Sequence, residues 1–186
     1  TMKDPDTVYL SADTKIGKDV TIYPHVFIDK EVTIANGVTI YSFSHLESCK
    51  VGKNCNIGPY ARLRPGADIS EGVRIGNFVE VKNSMLGKDS KANHLSYIGD
   101  SEVGKNVNIG AGTITCNYDG KNKQKTIIED GAFIGSNSSI IAPVKIEKNS
   151  YIGSGSAISR NVKANSLAVE RSKQIEVNNW SKKVKK

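Results

Sequence analysis

The chain is poor in several residues and segments that particular protein classes require. Its three cysteines are an odd number with neither CxxC nor other metal-binding spacing, which excludes a disulfide scaffold and predicts free thiols in a reducing cytoplasm. No apolar run approaches the ~20 residues of a membrane-spanning helix. The first residues, TMKDPDTVYL, do not resemble a signal peptide. We therefore expect a cytoplasmic protein without a membrane span.

Leucine and aromatic residues are also scarce. Six leucines stand against 20 isoleucines and 16 valines, and this β-branched excess favours strands over a helical bundle. The net charge of +7 comes with only 12 aromatic residues and with lysines spread along the chain. Such a charge is typical of a solvated surface, so we expect no nucleic-acid partner.

An aliphatic residue recurs every six residues along most of the chain. Three runs keep this period without exception, from Ile16 to Leu46, from Val51 to Val81 and from Ile128 to Ile158. A second small or apolar residue recurs four places later, and two inward positions in six do not fit an amphipathic helix. Six residues fit one short strand and a corner. Three such repeats would close a triangular coil of 18 residues, with strands stacked ~4.8 Å apart between coils.

The period therefore predicts an all-β fold, a parallel β-helix of triangular coils over residues 16–164. Pairs such as Lys18-Asp19 and Asn36-Gly37 would supply the tight corners. The polar segment TCNYDGKNKQKT interrupts the period and predicts a loop extruded from one coil. Residues 165–186 predict a short helical or irregular cap with a basic tail, and residues 1–15 a linker from a missing N-terminal domain. The repeat resembles that of the hexapeptide-repeat acyltransferases, which implies left-handed coils.

The coil register brings distant cations together. Arg64 and Lys82 are 18 residues apart and each follows an inward residue, so they should stack on adjacent coils. One interpretation is that both extend into water, with Glu80 pairing with its stacked neighbour Arg62. The other is that they bind an anion such as phosphate, with Lys123 of the loop completing the clamp.

The same register predicts a column of mostly small residues, which leaves a shallow lane for an extended ligand. The column consists of Asn77, His94, Ala111, Ser136 and Ser154. A lone surface histidine is more often inert than catalytic, but an imidazole held by a partner can take a proton from an amine near neutral pH. His25 and His45 share no column with His94, so a three-histidine metal site is disfavoured and we expect no metal.

Covalent catalysis is also disfavoured. No Ser-His-Asp spacing is present, and Cys116 has no evident base beside it. We therefore predict direct transfer to the acceptor.

Four segments carry a closer resemblance: GPYARLRPGA (58–67), GNFVEVKN (76–83), HLSYIGD (94–100) and NIGAGTITCNYDGKNKQKT (108–126). In this order they resemble the C-terminal acetyltransferase domain of the bifunctional N-acetylglucosamine-1-phosphate uridyltransferases / glucosamine-1-phosphate acetyltransferases. The resemblance implies acetyl transfer from acetyl-CoA to the amine of glucosamine 1-phosphate, for UDP-N-acetylglucosamine and bacterial cell-wall precursors. It also implies a homotrimer with pockets between subunits. No uridyl transfer is expected, because the segments of that activity are not in this sequence.

The resemblance implies a role for each matching residue. His94 matches the general base, and Glu80 would orient or polarise groups near it. The residues that match the sugar-phosphate site are Arg64, Lys82, Tyr97, Asn108 and Lys123. The residues that match the acetyl-CoA site are Ala111, Asn117, Tyr118, Ser136, Ser154 and Arg171.

Two other functions remain compatible with the sequence. One is another hexapeptide-repeat acyltransferase that acts on a nucleotide sugar or an amino acid, although a long acyl chain would need a more apolar groove than this lane. The other is a non-catalytic β-solenoid scaffold. In a scaffold, replacing His94 by alanine would leave every measurable property intact.

Overall fold

The computed structural model describes residues 1–184 and consists almost entirely of short parallel strands. Strands are numbered along the chain, and successive strands fall in turn into three sheets, which form the faces of a triangular prism. The left-handed parallel β-helix predicted from the sequence is confirmed. Only two short helices occur within the described residues, the 3-10 helix Pro5–Thr7 and α1 at Trp180–Val184.

Each sheet stacks strands from successive coils. Sheet I contains β1 (Tyr9–Leu10), β4 (Phe27–Ile28), β7 (His45–Leu46), β10 (Arg62–Leu63), β13 (Glu80–Lys82), β16 (Tyr97–Gly99), β19 (Ile114–Cys116), β22 (Ser139–Ile141) and β25 (Ala157–Ile158). Sheet II contains β2 (Lys15–Ile16), β5 (Thr33–Ile34), β8 (Lys50–Val51), β11 (Asp68–Ile69), β14 (Met85–Leu86), β17 (Ser101–Val103), β20 (Thr126–Ile128) and β23 (Val144–Ile146). Sheet III contains β3 (Thr21–Ile22), β6 (Thr39–Ile40), β9 (Asn56–Ile57), β12 (Arg74–Asn77), β15 (Lys91–His94), β18 (Asn108–Ile109), β21 (Phe133–Ile134), β24 (Tyr151–Ile152) and β26 (Leu167–Ala168).

The repeated aliphatic residues fill the interior of the prism. Because the strands are parallel and in register, like residues stack directly, as Ile40 does on Ile57 and Ile57 on Ile75. All members of the three unbroken runs are buried except Ile16, which is 39% exposed. Ile16 lies on β2, which is the edge strand of sheet II and is covered from one side only.

The corners use left-handed backbone, as the sequence predicted. Asp19 has a φ of 56°, and Gly37 has a φ of 71°. A Cβ atom at Gly37 would also meet the Asn54 Oδ1 atom of the next coil. Glycine adopts the left-handed conformation of this corner without strain and leaves room for the Asn54 side chain.

The β-helix extends beyond residues 16–164 at both ends. β1 pairs with β4, and Met2 forms a bridge to Ile22, so part of the segment expected as a linker packs against the second coil. Leu10 lies six residues before Ile16 and continues the period, which is the signal that the sequence analysis missed. At the other end β26 pairs with β24, and exposed residues lead to α1. Lys185 and Lys186 of the predicted basic tail lie outside the described residues.

The predicted extruded loop consists of residues 117–125, between β19 and β20. Tyr118 and Lys123 form an antiparallel bridge, which makes the loop a small hairpin. Ser101 pairs with Thr126 although 25 residues separate them, so the prism continues unbroken beneath the loop. Within residues 1–184, no helix is both long enough and apolar enough to cross a membrane.

Candidate active site

The strand register places the predicted column along one edge of the prism. Asn77 pairs with His94. The pairing of Lys91 with Asn108 brings His94 level with Ala111, and the next two pairings continue the column to Ser136 and Ser154. The guanidinium of Arg171 donates a hydrogen bond to the Ser154 carbonyl oxygen at 2.9 Å. The predicted acetyl-CoA residues outside the loop therefore lie in one line with His94; they are Ala111, Ser136, Ser154 and Arg171.

His94 has a partner that fixes its ring. It ends β15 at the corner between sheets III and I, and its Nδ1 atom lies 2.7 Å from Oδ1 of Asn77 on the adjacent coil. An amide oxygen only accepts hydrogen bonds, so this contact keeps the proton on Nδ1 and leaves a lone pair on Nε2. The sequence placed Asn77 in the column but gave it no role.

Arg64 and Glu80 form an ion pair on sheet I. Nη1 of Arg64 donates to Oε1 of Glu80 at 2.8 Å, and the two side chains are about one-third exposed. This hydrogen bond raises the pKa of Arg64. The expected pairing of Glu80 with Arg62 is wrong. Arg62 and Glu80 are paired across adjacent strands of sheet I. The Glu80 carboxylate nevertheless contacts Arg64, two residues further along the chain, and long side chains on a sheet can reach such a diagonal neighbour.

A second cationic group lies beside the extruded loop. The Nζ atom of Lys82 is 3.8 Å from Oδ2 of Asp100, and both side chains are largely buried. Lys123 of the loop lies close enough to Lys82 for the like charge to lower the pKa of Lys123. The structure thus brings Lys82 and Lys123 together, as the phosphate-clamp interpretation requires.

Asp100 is the member of this cluster that the sequence analysis missed. Its carboxylate accepts hydrogen bonds from Asn83 Nδ2 at 2.5 Å and from Asn117 Nδ2. Burial raises the pKa of Asp100, but these hydrogen bonds and the charges of Lys82 and Lys123 outweigh it, so the net pKa is lowered. Asp100 lies 17 residues from each asparagine. Since the coils here are 17 residues long, this spacing was a signal that could have revealed the cluster.

Tyr97 and Asn117 join this cluster. Tyr97 stacks on Glu80 in the register of sheet I, three residues after His94. Nδ2 of Asn117 lies 3.5 Å from the Tyr97 hydroxyl oxygen, at the limit of a hydrogen bond. Tyr97 thus lies between the imidazole corner and the cationic residues.

Two other predicted site residues lie apart from the cluster within one chain. Asn108 lies on β18 in sheet III, beside Lys91, and not on sheet I. The hydroxyl of Tyr118 donates to the Gly120 carbonyl oxygen of its own loop at 2.7 Å, and the side chain is exposed.

The remaining histidines and cysteines lie elsewhere. His25 stacks on Phe43 at a ring separation of 4.9 Å, and His45 lies edge-on to Phe27. Burial raises the pKa of the Cys49 thiol to about 12 and that of Cys55 to about 11, so neither is a nucleophile near neutral pH. Among residues 1–184, no group of three or more His, Cys, Asp or Glu side chains is arranged to hold a metal ion.

The chain matches known sequences over nearly its whole length. Residues 48–83 and 125–160 match the family described as bacterial transferase hexapeptide (six repeats). The "Bifunctional protein GlmU" of Bradyrhizobium sp. strain ORS 278 is 58% identical over 94% of this chain and 39% of that protein. The protein of the same name from Bradyrhizobium diazoefficiens is 64% identical, with the same coverage. The chain therefore spans about two fifths of the length of these relatives.

Solved structures share the fold at low sequence identity. The LpxA UDP-N-acetylglucosamine acyltransferase of Bacteroides fragilis superposes with a TM-score of 0.78 at 20% identity, covering 87% of this chain and 69% of that chain. The LpxA structure from Acinetobacter baumannii gives a TM-score of 0.61 at 20% identity, covering 89% and 70%. At these identities the likeness concerns the fold alone.

Proposed function

We propose that this chain, which carries transferase hexapeptide repeats and is similar to part of the bifunctional GlmU proteins, transfers the acetyl group of acetyl-CoA to the amine of glucosamine 1-phosphate. The observation that carries the proposal is a held imidazole next to a cluster of cations. Asn77 fixes the His94 ring, and Tyr97 stands three residues on, between that corner and the residues around Lys82.

His94 acts as the general base in this proposal. With Nδ1 directed at Asn77, Nε2 is free to accept a proton from the sugar amine. The nitrogen attacks the thioester carbonyl carbon, the C–N bond forms and the C–S bond breaks. The proton taken by His94 returns to the departing CoA sulfur, so no covalent enzyme intermediate is needed.

The cations bind the phosphate of the acceptor. Arg64, Lys82 and Lys123 present a guanidinium and two ammonium groups, the types of donor that best recognise phosphate oxygens. Glu80 holds the Arg64 guanidinium in place at 2.8 Å. Its role in the proposal is to orient Arg64, not to exchange protons with the substrate.

The column above His94 binds acetyl-CoA as co-substrate. Ala111, Ser136 and Ser154 are small, so an extended pantetheine arm can lie against the edge of the prism. Arg171, bonded to the Ser154 carbonyl oxygen, closes the column with a cation for the nucleotide phosphates. The proposed reaction needs no metal ion. Because it consumes acetyl-CoA, we propose a cytoplasmic setting.

The pocket is completed by neighbouring chains in a homotrimer. This part of the proposal is supported by Asn108 and Tyr118, which match the family's pocket residues, while within one chain Asn108 lies on sheet III and the Tyr118 hydroxyl bonds to its own loop. A prism has flat faces, and a loop of one copy can reach the adjacent copy around a threefold axis.

The test is to mix the chain with acetyl-CoA and glucosamine 1-phosphate and to measure the release of free thiol. Parallel reactions use glucosamine without phosphate and a UDP-linked amino sugar. We expect efficient release with glucosamine 1-phosphate only. Equal rates with glucosamine would refute the phosphate clamp, preference for the nucleotide sugar would support the other acyltransferase, and no release with any acceptor would support the scaffold.

A further inference from the structure

Asp100 stands where the extruded loop leaves the prism. It occupies the corner between β16 and β17, with a φ of 48°. In the next coil the same corner position is taken by Asn117, the first residue of the loop, whose amide donates to the Asp100 carboxylate. Where the loop ends, the Thr126 N–H donates to the Asp100 carbonyl oxygen at 3.2 Å. Both ends of the loop are therefore attached to one residue.

The Asp100 carboxylate also lies near two like charges, since the charges of both Lys82 and Lys123 lower its pKa. The charge of Lys82 also lowers the pKa of Lys123, as expected of two neighbouring ammonium groups that repel in the absence of an anion. Oδ2 of Asp100 lies 3.8 Å from Lys82 Nζ and also accepts the hydrogen bond from Asn117. Asn83 holds the other oxygen at 2.5 Å. The carboxylate is thus fixed by two amides, and its side chain is only 12% exposed.

We propose that Asp100 is a positioning residue that holds the loop over Lys82, so that Lys82 and Lys123 form a preformed cationic pair for the phosphate of the acceptor. The inference rests on the proposed function for the identity of that anion. Asp100 itself does not touch the substrate, since its oxygens are occupied by Asn83, Asn117 and Lys82. Its contribution is to offset the repulsion between the lysines before substrate arrives.

The same loop offers a matched control. Lys125 forms an ion pair with Glu102, but these side chains are 57% and 47% exposed. Ion pairs at such exposure contribute little, because water screens them and both side chains lose freedom. Glu102→Gln therefore removes one carboxylate that contacts the loop, while Asn117 and Thr126 still attach the loop to Asp100.

The kinetic test compares Asp100→Asn with Glu102→Gln. Asparagine keeps the size of Asp100 but removes its charge. For Asp100→Asn we expect the KM for glucosamine 1-phosphate to rise about tenfold, equivalent to about 1.4 kcal/mol of binding, while kcat and the KM for acetyl-CoA stay unchanged. Glu102→Gln should match the wild type. A residue with a purely structural role would not affect one substrate alone. An unchanged or lowered KM for the sugar phosphate in Asp100→Asn would overturn the proposal.

Hydrogen exchange gives a readout that does not depend on activity. In the protein without substrate, backbone amides of residues 118–125 should exchange faster in Asp100→Asn and Asn117→Ala than in the wild type and Glu102→Gln. Amides of the buried strands should be unaffected, which shows that the variants are folded. If the wild-type chain transferred no acetyl group, the proposed function would be wrong, and hydrogen exchange alone would then test the role of Asp100. Unchanged exchange of the loop would overturn the role of Asp100 in either case.

Discussion

At the scale of single residues, the chemistry of the site depends on which partner each charged side chain has. Arg64 is engaged by Glu80 at 2.8 Å, whereas Lys82 is 3.8 Å from Asp100 and next to Lys123. The two stacked cations of the clamp therefore have separate carboxylate partners. A phosphate can therefore bind to Arg64 and Lys82 together while each cation keeps its own carboxylate partner.

Replacing Arg64 or Lys82 by alanine tests the clamp. Each change removes a charge-assisted phosphate contact, so the KM for glucosamine 1-phosphate should rise about 10- to 100-fold and the KM for acetyl-CoA should change little. Lys15→Ala is the control, because Lys15 is an exposed lysine on β2, the edge strand of sheet II. Steady-state kinetics with each substrate varied in turn gives the answer. Equal effects on the two substrates would count against a phosphate clamp.

The three thiols should differ in reactivity. Because burial raises the pKa of Cys49 to about 12 and of Cys55 to about 11, both stay protonated and enclosed at pH 8. Cys116 is half-buried and lies next to the loop. A thiol reagent should thus label one cysteine rapidly in the folded chain and all three after unfolding. Rapid labelling of Cys49 or Cys55 in the folded chain would contradict the enclosed interior.

The positions of site residues could be predicted from sequence better than their contacts. His94, Ala111 and Ser136 form a column because strand register follows from counting along the coils. The contact of Glu80 with Arg64 could not be derived this way, since long side chains reach diagonal neighbours as easily as direct ones. The contact of Asn77 with the His94 ring was missed for a related reason, as counting places residues but does not assign hydrogen bonds.

At the scale of elements, strands of two to four residues are stable only as a stack. A two-residue strand has too few hydrogen bonds to persist alone, and its neighbours on both sides supply the rest. The stacked aliphatic residues inside the prism bury the apolar surface that offsets the entropy of ordering the coils. Strands at the ends of the stack lack one neighbour.

Truncating one stacked isoleucine at two places tests this description. Ile57 is fully buried between Ile40 and Ile75, so Ile57→Ala should lower the free energy of unfolding by about 2–5 kcal/mol. Ile16→Ala, at the exposed edge strand β2, should cost less than about 1 kcal/mol. Denaturant unfolding measures both. Equal losses would contradict a core that is closed in the middle and open at this end.

The elements were predictable where the period is strict and less so where it ends. The aliphatic period located most strands, and the polar segment after Ile114 located the loop. Residues 9–10 and 167–168 also form strands, but each is a single outer element whose aliphatic residue is partly exposed. A single repeat at the end of a periodic run is weak evidence for a strand. The hairpin form of the loop is not periodic and could not be predicted.

At the scale of the whole molecule, the site is proposed to need more than one chain. Lys82 and Tyr97 lie on sheet I and Asn108 lies on sheet III. In the proposal, a neighbouring copy brings its own Asn108 to the cluster. The threefold assembly proposed above would do this at each of its interfaces.

Mixed assemblies test this arrangement. His94→Ala and Asn108→Ala chains should each be inactive alone, but co-expressed chains should regain activity, because some pockets then combine an intact His94 with an intact Asn108. Random mixing in a trimer would restore about a quarter of the wild-type rate. Sedimentation confirms the mass of the assembly. Absence of recovery in assemblies shown to be mixed would place the complete site within one chain.

The most direct test of the account is the turnover of His94→Ala with acetyl-CoA and glucosamine 1-phosphate. In the proposal the other site residues bind the two substrates, and the His94 imidazole takes the proton. The ring is exposed and contributes nothing to the core, so unfolding should match the wild type while kcat falls about 10²- to 10⁴-fold. His25→Asn, which changes an exposed histidine at another corner, should keep full activity. A folded His94→Ala chain that retains more than about a tenth of the wild-type kcat would contradict a histidine general base.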